Sequence, residues 1–297
     1  VENPLEEKKD TLRVKVAAKP TEKSEIEYTH SEWSTSYMFM PGTNLVGVSN
    51  GRMELQASSW AFALEVFPDG ILRNNYDIEW DTLVVKYDLG FAEMTYSGGT
   101  VAATDRDYNA EDFTFGVVSI TDLPSETDTH EIRFVSTGDG PLSWIAGAMT
   151  VDATTDSNLH YNFMTYGEYS SIGAIHQEQD SIYGELTYAL SDTVTVFGGL
   201  RNHEETRVED IQEAMRNPGD PATGPYTGYM FTDDSTMYEF DNTSYRVGVE
   251  WRPDDSTLYY ASRSSAARMP IPTSAATIAL LEAQGIPTVS YTHLRAH

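Results

Sequence analysis

The chain contains no cysteine, which excludes disulfide bridges and thiolate metal sites. No apolar run approaches the roughly 18 residues that a spanning helix needs, so any embedding in a bilayer must be by strands. Positive charge is scarce. The 19 Lys and Arg stand against 46 Asp and Glu, a formal net charge of −27 over 297 residues. Such a chain repels nucleic-acid phosphates, which excludes nucleic acid as a partner. The acids crowd one stretch in particular, with Asp105, Asp107, Glu111, Asp112, Asp122, Glu126 and Asp128 close together. They read as a solvated surface rather than a dedicated cation site. No amino-terminal export signal is recognisable and the first residue is Val1, so residue 1 reads as an interior break in a longer protein.

A hydrophobic content of 40% excludes wholesale disorder, and the apolar residues are ordered with a period of two. Leu12, Val14 and Val16 alternate with Arg13 and Lys15. Ile26 and Tyr28 alternate with Glu25 and Glu27, and Leu83, Val85 and Tyr87 with Thr82, Val84 and Lys86. Met94 and Tyr96 oppose Glu93 and Thr95, and Ile132 and Phe134 oppose Glu131 and Arg133. The same holds for Ile182, Leu186 and Tyr188 against Tyr183, Glu185 and Thr187, and for Val247, Val249 and Trp251 against Arg246 and Glu250. A strand with aliphatics on one face and charge on the other must put them in different media.

Five short turns punctuate these strands: Lys19–Glu22, Asp88–Gly90, Gly138–Pro141, Leu190–Asp192 and Pro253–Ser256. Gly138 and Gly140 are expected to supply positive φ there, and Pro20 and Pro253 to fix φ at turn entry. Long polar segments, about 37–75, 104–128, 155–178 and 208–240, alternate with the turns and read as loops too long for a compact soluble domain. Short turns at one end and long loops at the other are the pattern of a transmembrane barrel. Rings near the turn ends (Tyr87, Phe91, Trp144, Tyr188, Trp251, Tyr259, Tyr260) suit a membrane-interface girdle. A secreted β-sandwich, with its apolar strand faces inward, and a passive porin-type barrel are the rival readings.

No catalytic residues are assigned. Gly47-Val48-Ser49-Asn50-Gly51 matches G-x-S-x-G, but no βα alternation supplies the scaffold of a hydrolase, and chance glycines in a loop explain it better. His30, His130, His160, His176 and His203 are scattered without metal-ligand spacing, so no metal site and no cofactor are expected. The loop aromatics are the ligand-binding candidates: Tyr161, Phe163 and Tyr166, with Tyr169, in one segment, and Tyr226 and Tyr229, with Phe231, in another. Amphipathic rings can grip a large planar or sugar-like ligand. Ser274–Gln284 is Ala/Leu-rich and reads as a short helix.

Three hairpins in series carry a family resemblance. His130-Glu131-Ile132-Arg133-Phe134-Val135-Ser136-Thr137-Gly138-Asp139-Gly140-Pro141 through Trp144-Ile145-Ala146-Gly147 resembles the mid-barrel hairpin of TonB-dependent outer-membrane receptors. Ser181–Tyr188 with Gly199-Leu200-Arg201, and Tyr245–Pro253 with Leu258–Arg263, resemble the two that follow it. Weaker similarity extends back to Asp10. The resemblance implies an all-β fold, a partial transmembrane antiparallel up-and-down β-barrel. About ten strands of a 22-strand barrel are present, with long extracellular loops. It also implies an outer-membrane receptor that imports a scarce nutrient of the siderophore, cobalamin or glycan class. Its partners would be outer-membrane lipid, a nutrient ligand such as a metal chelate, and the TonB complex, reached through a plug region missing here. Arg13, Lys15, Arg133 and Glu185 would line the plugged interior. The family's coupling box and closing aromatic strand are not found in this sequence, and its "GfR" is replaced by Ala267-Arg268-Met269. Residues 1–288 read as the partial barrel. Residues 289–297, Val289-Ser290-Tyr291-Thr292-His293-Leu294-Arg295-Ala296-His297, resemble a translated sequencing adapter and read as a non-native tail.

Overall fold

The computed structural model describes residues 7–37, 74–112, 117–162, 168–216 and 230–267. They form ten strands: β1 (Glu7–Thr21), β2 (Ser24–Tyr37), β3 (Asn74–Asp88), β4 (Ala92–Asp112), β5 (Val117–Ser136), β6 (Leu142–Asn162), β7 (Glu168–Ala189), β8 (Val194–Arg216), β9 (Met230–Asp254) and β10 (Thr257–Ser265). Each pairs antiparallel with its sequence neighbour, giving one sheet in the order β1 to β10. This is an all-β, up-and-down meander that stays open, as a part of a barrel does. The described residues form no second sheet packed on the first, which removes the sandwich reading.

The register turns separate alternations into one surface. Directly opposed residues share a face, so Val16, Tyr28, Leu83, Gly98, His130, Thr150, Asp180, Glu204 and Asp241 form one continuous row across β1 to β9. Below it, toward the turns, the same face carries Ile26, Val85, Tyr96, Ile132, Ile182, Leu186, Leu200, Val247 and Val249. Every alternation read in the sequence therefore falls in phase. The large apolar groups of this face are open, Leu200 and Ile182 at 64% and Leu186 at 57% exposure, and among the described residues only Ala92 and Ile120 are buried hydrophobics. With no apolar core of its own, this face needs an apolar solvent outside it.

Five connections lie at the sheet's turn end, as expected, but their local chemistry differs. Among the described glycines only Gly90 has positive φ, at 87°. Its N–H donates to Asp88 Oδ1 at 2.7 Å while Leu89 N–H reaches Ala92 O at 2.9 Å. Gly138 and Gly140 do not adopt it. Residue 140 precedes Pro141, which pushes it toward extended backbone, and the wider loop around Gly138 needs no left-handed residue. Pro20 and Pro253 lie inside β1 and β9 rather than in the turns. Both sit beside a register shift, where a residue without an N–H costs no ladder bond. The last turn is closed by Asp254, whose Oδ1 accepts from Ser256 N–H at 2.9 Å.

The polar segments 104–128, 155–178 and 208–240 are mostly paired strand, not loop. β4 to β9 run for 20 to 25 residues, about twice the 9–11 residues that cross a bilayer. Beyond the apolar band both faces carry polar side chains, so the two-residue period fades while the backbone ladder continues. Polar pairs serve it, such as Arg106 Nε to Asp122 Oδ1 at 3.0 Å and Thr154 Oγ1 with His176 Nδ1 at 3.1 Å. Of the ring girdle, Tyr87, Trp144, Tyr188, Trp251 and Tyr259 share the apolar face, with Trp251 and Tyr259 stacked at 5.3 Å. Phe91 projects from its turn, and Tyr260, opposite Glu250, lies on the other face. Ser49, the Ser274–Gln284 segment and the carboxy-terminal tail lie outside the described residues.

Candidate functional site

The face opposite the apolar band is the polar one, and period-two geometry puts Arg13, Lys15, Arg133 and Glu185 on it together, as their alternation implies. Near the turns it is laced by ion pairs, Lys15 Nζ to Glu27 at 2.8 Å and Lys19 Nζ to Glu25 at 3.2 Å. Small buried hydroxyls fill it between them, Thr29, Ser31, Thr95 and Ser181 among them.

One part of it is a column on β8, where every second residue is ionisable: Arg201, His203, Glu205, Arg207 and Glu209. Arg201 donates to Ser181 Oγ at 3.2 Å, and Arg207 Nε donates to Glu209 at 2.7 Å. Between them Glu205 is buried at 9% exposure, held by His203 Nε2 at 3.1 Å and by the Gln177 amide of β7, which donates at 2.5 Å. A buried carboxylate needs such partners. The alternation R-x-H-x-E-x-R-x-E could have been read in the sequence, but no apolar partners mark residues 201–209 as strand.

Beside the column, Tyr183 of β7 crosses β6 and donates its hydroxyl to Glu131 of β5. It passes over Gly147, where a Cβ would lie 2.5 Å from its ring. Phe197 lies over Gly248 in the same way, with the Arg246 guanidinium 4.5 Å above its ring. On the upper part of this face, Asp105 and Asp107 are two residues apart on β4. Burial, then the charge of Asp105 and the hydrogen bond to it, push Asp107 up to about 6. Burial also raises Asp105.

The aromatic ligand candidates are only partly visible. The Tyr161 backbone pairs with Tyr169 at the far end of β6 and β7; its side chain, with Phe163, Tyr166, Tyr226 and Tyr229, lies outside the described residues. The strand ends that carry the two connections are adjacent, because Glu168 pairs with Arg216 where β7 begins and β8 ends. The two aromatic groups, distant in sequence, belong to adjacent hairpins at the end away from the short turns.

On the apolar face, a groove of ≈ 500 Å³ marks the upper edge of the band, with Ile132, Ala148 and Ile182 below and His130, Asp180 and Glu204 above. Tyr hydroxyls reach up across this boundary, Tyr28 donating to Asp81 and Tyr96 lying 2.9 Å from His130 Nδ1, as amphipathic rings do at a membrane interface.

Comparison with known proteins agrees with this geometry. The family described as TonB dependent receptor-like, beta-barrel matches residues 27–291. The pesticin receptor of Yersinia enterocolitica is 25% identical over 160 residues, covering 44% of this chain and 24% of that protein. Among solved structures, the ferric yersiniabactin uptake receptor FyuA of Yersinia pestis superposes with a TM-score of 0.67 at 16% identity, over 86% of this chain and 37% of that one. The open form of the ferric-catecholate import receptor Fiu of E. coli K12 gives a TM-score of 0.61 at 12% identity, over 87% of this chain and 46% of that one. The chain thus spans less than half the length of these relatives. The family match covers most of the sequence and the strand order is that of its barrel: the chain belongs to the TonB-dependent receptor β-barrel family and resides in the bacterial outer membrane.

Proposed function

We propose that the chain forms part of the barrel wall of an active importer. It would take up a scarce nutrient as a metal chelate of the ferric-siderophore class, driven by the TonB complex. The observation that supports this most is the division of one continuous sheet into an apolar face and a face carrying the Arg201–Glu209 column with Arg13, Lys15 and Arg133. A wall of that kind separates lipid from a polar, filled interior. The relatives named above as ferric yersiniabactin and ferric-catecholate receptors support the chelate class over cobalamin or glycan. The column's role is electrostatic: fixed charges of both signs, already paired with one another, hold a hydrated interior against the barrel wall. The loop aromatics Tyr161, Phe163, Tyr166, Tyr226 and Tyr229 would meet the ligand first, from two adjacent hairpins. No step in this reading requires catalysis by the chain.

The test is uptake of radiolabelled ferric chelates by cells whose sole receptor is the one carrying this segment. The reading expects uptake of a siderophore chelate that disappears when TonB is deleted. Uptake that survives the deletion would show a passive channel. Uptake of cobalamin or a glycan, with no ferric chelate taken, would overturn the substrate class.

A further inference from the structure

We propose that the upper edge of the outward face carries two seats for a divalent first-row transition ion, one at His30, Glu79 and Asp81 and the other at Asp152, His176 and Glu178. In each trio the candidate ligand atoms lie within 4.8 Å of one another. One imidazole nitrogen with two carboxylate oxygens suits Zn²⁺ or a neighbour of it better than Mg²⁺ or Ca²⁺, which prefer oxygen alone.

The register supplies an independent reason for cations here. His30, Asp81, Thr100, Asp128, Asp152 and Glu178 occupy one cross-strand row on β2 to β7, so both seats draw on the same line. Within it Asp128, Asp152 and Glu178 stand directly opposite one another on three successive strands, an arrangement that destabilises a sheet unless charge is neutralised. The rows immediately above and below repeat the pattern, with Glu32 opposite Glu79 and Asp180 opposite Glu204 opposite Asp241. On β1 to β9 none of these three rows contains a Lys or Arg. Within these rows only the imidazoles of His30, His130 and His176 can carry positive charge, and a bound cation would complete the neutralisation.

The first seat also has a built orientation. His30 Nδ1 lies 3.0 Å from Asp81 Oδ1, while its Nε2 lies 3.1 Å from Glu32 Oε1. A metal at Nδ1 would leave Nε2–H donating to Glu32, the carboxylate–histidine–metal relation that fixes a ligating ring. In the second seat His176 Nε2 lies 3.2 Å from Glu178 and Nδ1 3.6 Å from Asp152. Both seats stand where the apolar band ends, so the remaining coordination positions face the headgroup layer.

The experiment uses the receptor carrying this segment, purified in detergent, stripped with EDTA and titrated with Zn²⁺ by calorimetry. Wild type, H30A, H176A and the double variant are compared, each checked for heat-modifiable mobility to show that the barrel is closed. Relative to wild type, the expected stoichiometry falls by one in each single variant and by two in the double, while H130A, on the same edge but in neither trio, keeps the wild-type value. An unchanged stoichiometry in folded H30A and H176A would overturn the assignment. So would Mg²⁺ binding at these residues with no Zn²⁺ binding, which would replace a transition-ion seat with a diffuse acidic surface. None of these outcomes depends on what the receptor transports.

Discussion

Tyr183 and Glu131 belong to strands that do not touch, yet the Tyr183 hydroxyl donates to the Glu131 carboxylate across β6. It can do so because β6 has Gly147 at the crossing point, directly paired with Tyr183. The bridge ties three strands of the polar face together. Replacing Gly147 with Ala would place a Cβ 2.5 Å from the ring and 2.9 Å from the Ile132 carbonyl, so the ring must leave and Glu131 loses its donor. The expected loss is about 1–3 kcal/mol, read as a lower urea midpoint in detergent. Tyr183→Phe should reproduce part of that loss without the clash, and an unchanged midpoint in both variants would refute the bridge.

Leu200 and Arg201 are neighbours on β8 that face opposite media. Leu200→Arg puts a charge into the apolar band opposite Gly184, at an expected cost of about 2–4 kcal/mol for a site near the bilayer midplane. The reverse change, Arg201→Leu, removes only a polar-face contact to Ser181 and should fold nearly as well. Refolding into lipid vesicles, followed by heat-modifiable mobility, distinguishes them. Equal folding of the two variants would mean that this face does not meet lipid.

Much of this division was legible in the sequence. The alternations at Leu12–Val16, Ile182–Tyr188 and Val247–Trp251 each name their apolar face, and the sheet register aligns all of them. What adjacency along the chain cannot show is which residues stand opposite one another. His30 and Asp81 are 51 residues apart and become neighbours only through the β2–β3 pairing, so histidines that look scattered prove to be clustered with acids. The length of the strands was also hidden. A hairpin arm with polar residues on both faces loses the period that betrays a strand, and residues 104–128 and 208–240 therefore resemble loops. The turn prolines and glycines misled for a related reason. Pro20, Gly138 and Pro253 are turn-forming residues in composition, whereas their roles here follow from bulges and loop width.

Acidity should tighten the β4–β5 hairpin. Asp107 is raised to about 6, by burial first and then by Asp105, against an ordinary carboxylate near 3.9 in the unfolded chain. Between about pH 4 and 6 the folded state holds a proton that the unfolded chain has released, so this contribution is complete below the window and is lost as pH rises through it. Protection factors of amides 104–107 and 121–123, corrected for intrinsic exchange at each pH, should accordingly be larger at pH 4.5 than at pH 7.5. Asp107→Asn should flatten that difference, and a hairpin that instead loosens on acidification would contradict the assignment.

The central claim, that one sheet face meets lipid and the other a polar interior, is tested most directly by the alternation itself. This segment has no cysteine, so a cysteine introduced into it, in a receptor cleared of any cysteine elsewhere, gives a single spin label. Labels placed in turn at residues 181 to 188 of β7, in the receptor reconstituted in lipid, report accessibility to oxygen, which partitions into bilayers, and to a water-soluble nickel chelate. The structure predicts high oxygen accessibility at 182, 184, 186 and 188 and low values at 181, 183, 185 and 187. A flat profile, or oxygen access greatest at the odd positions, would contradict it.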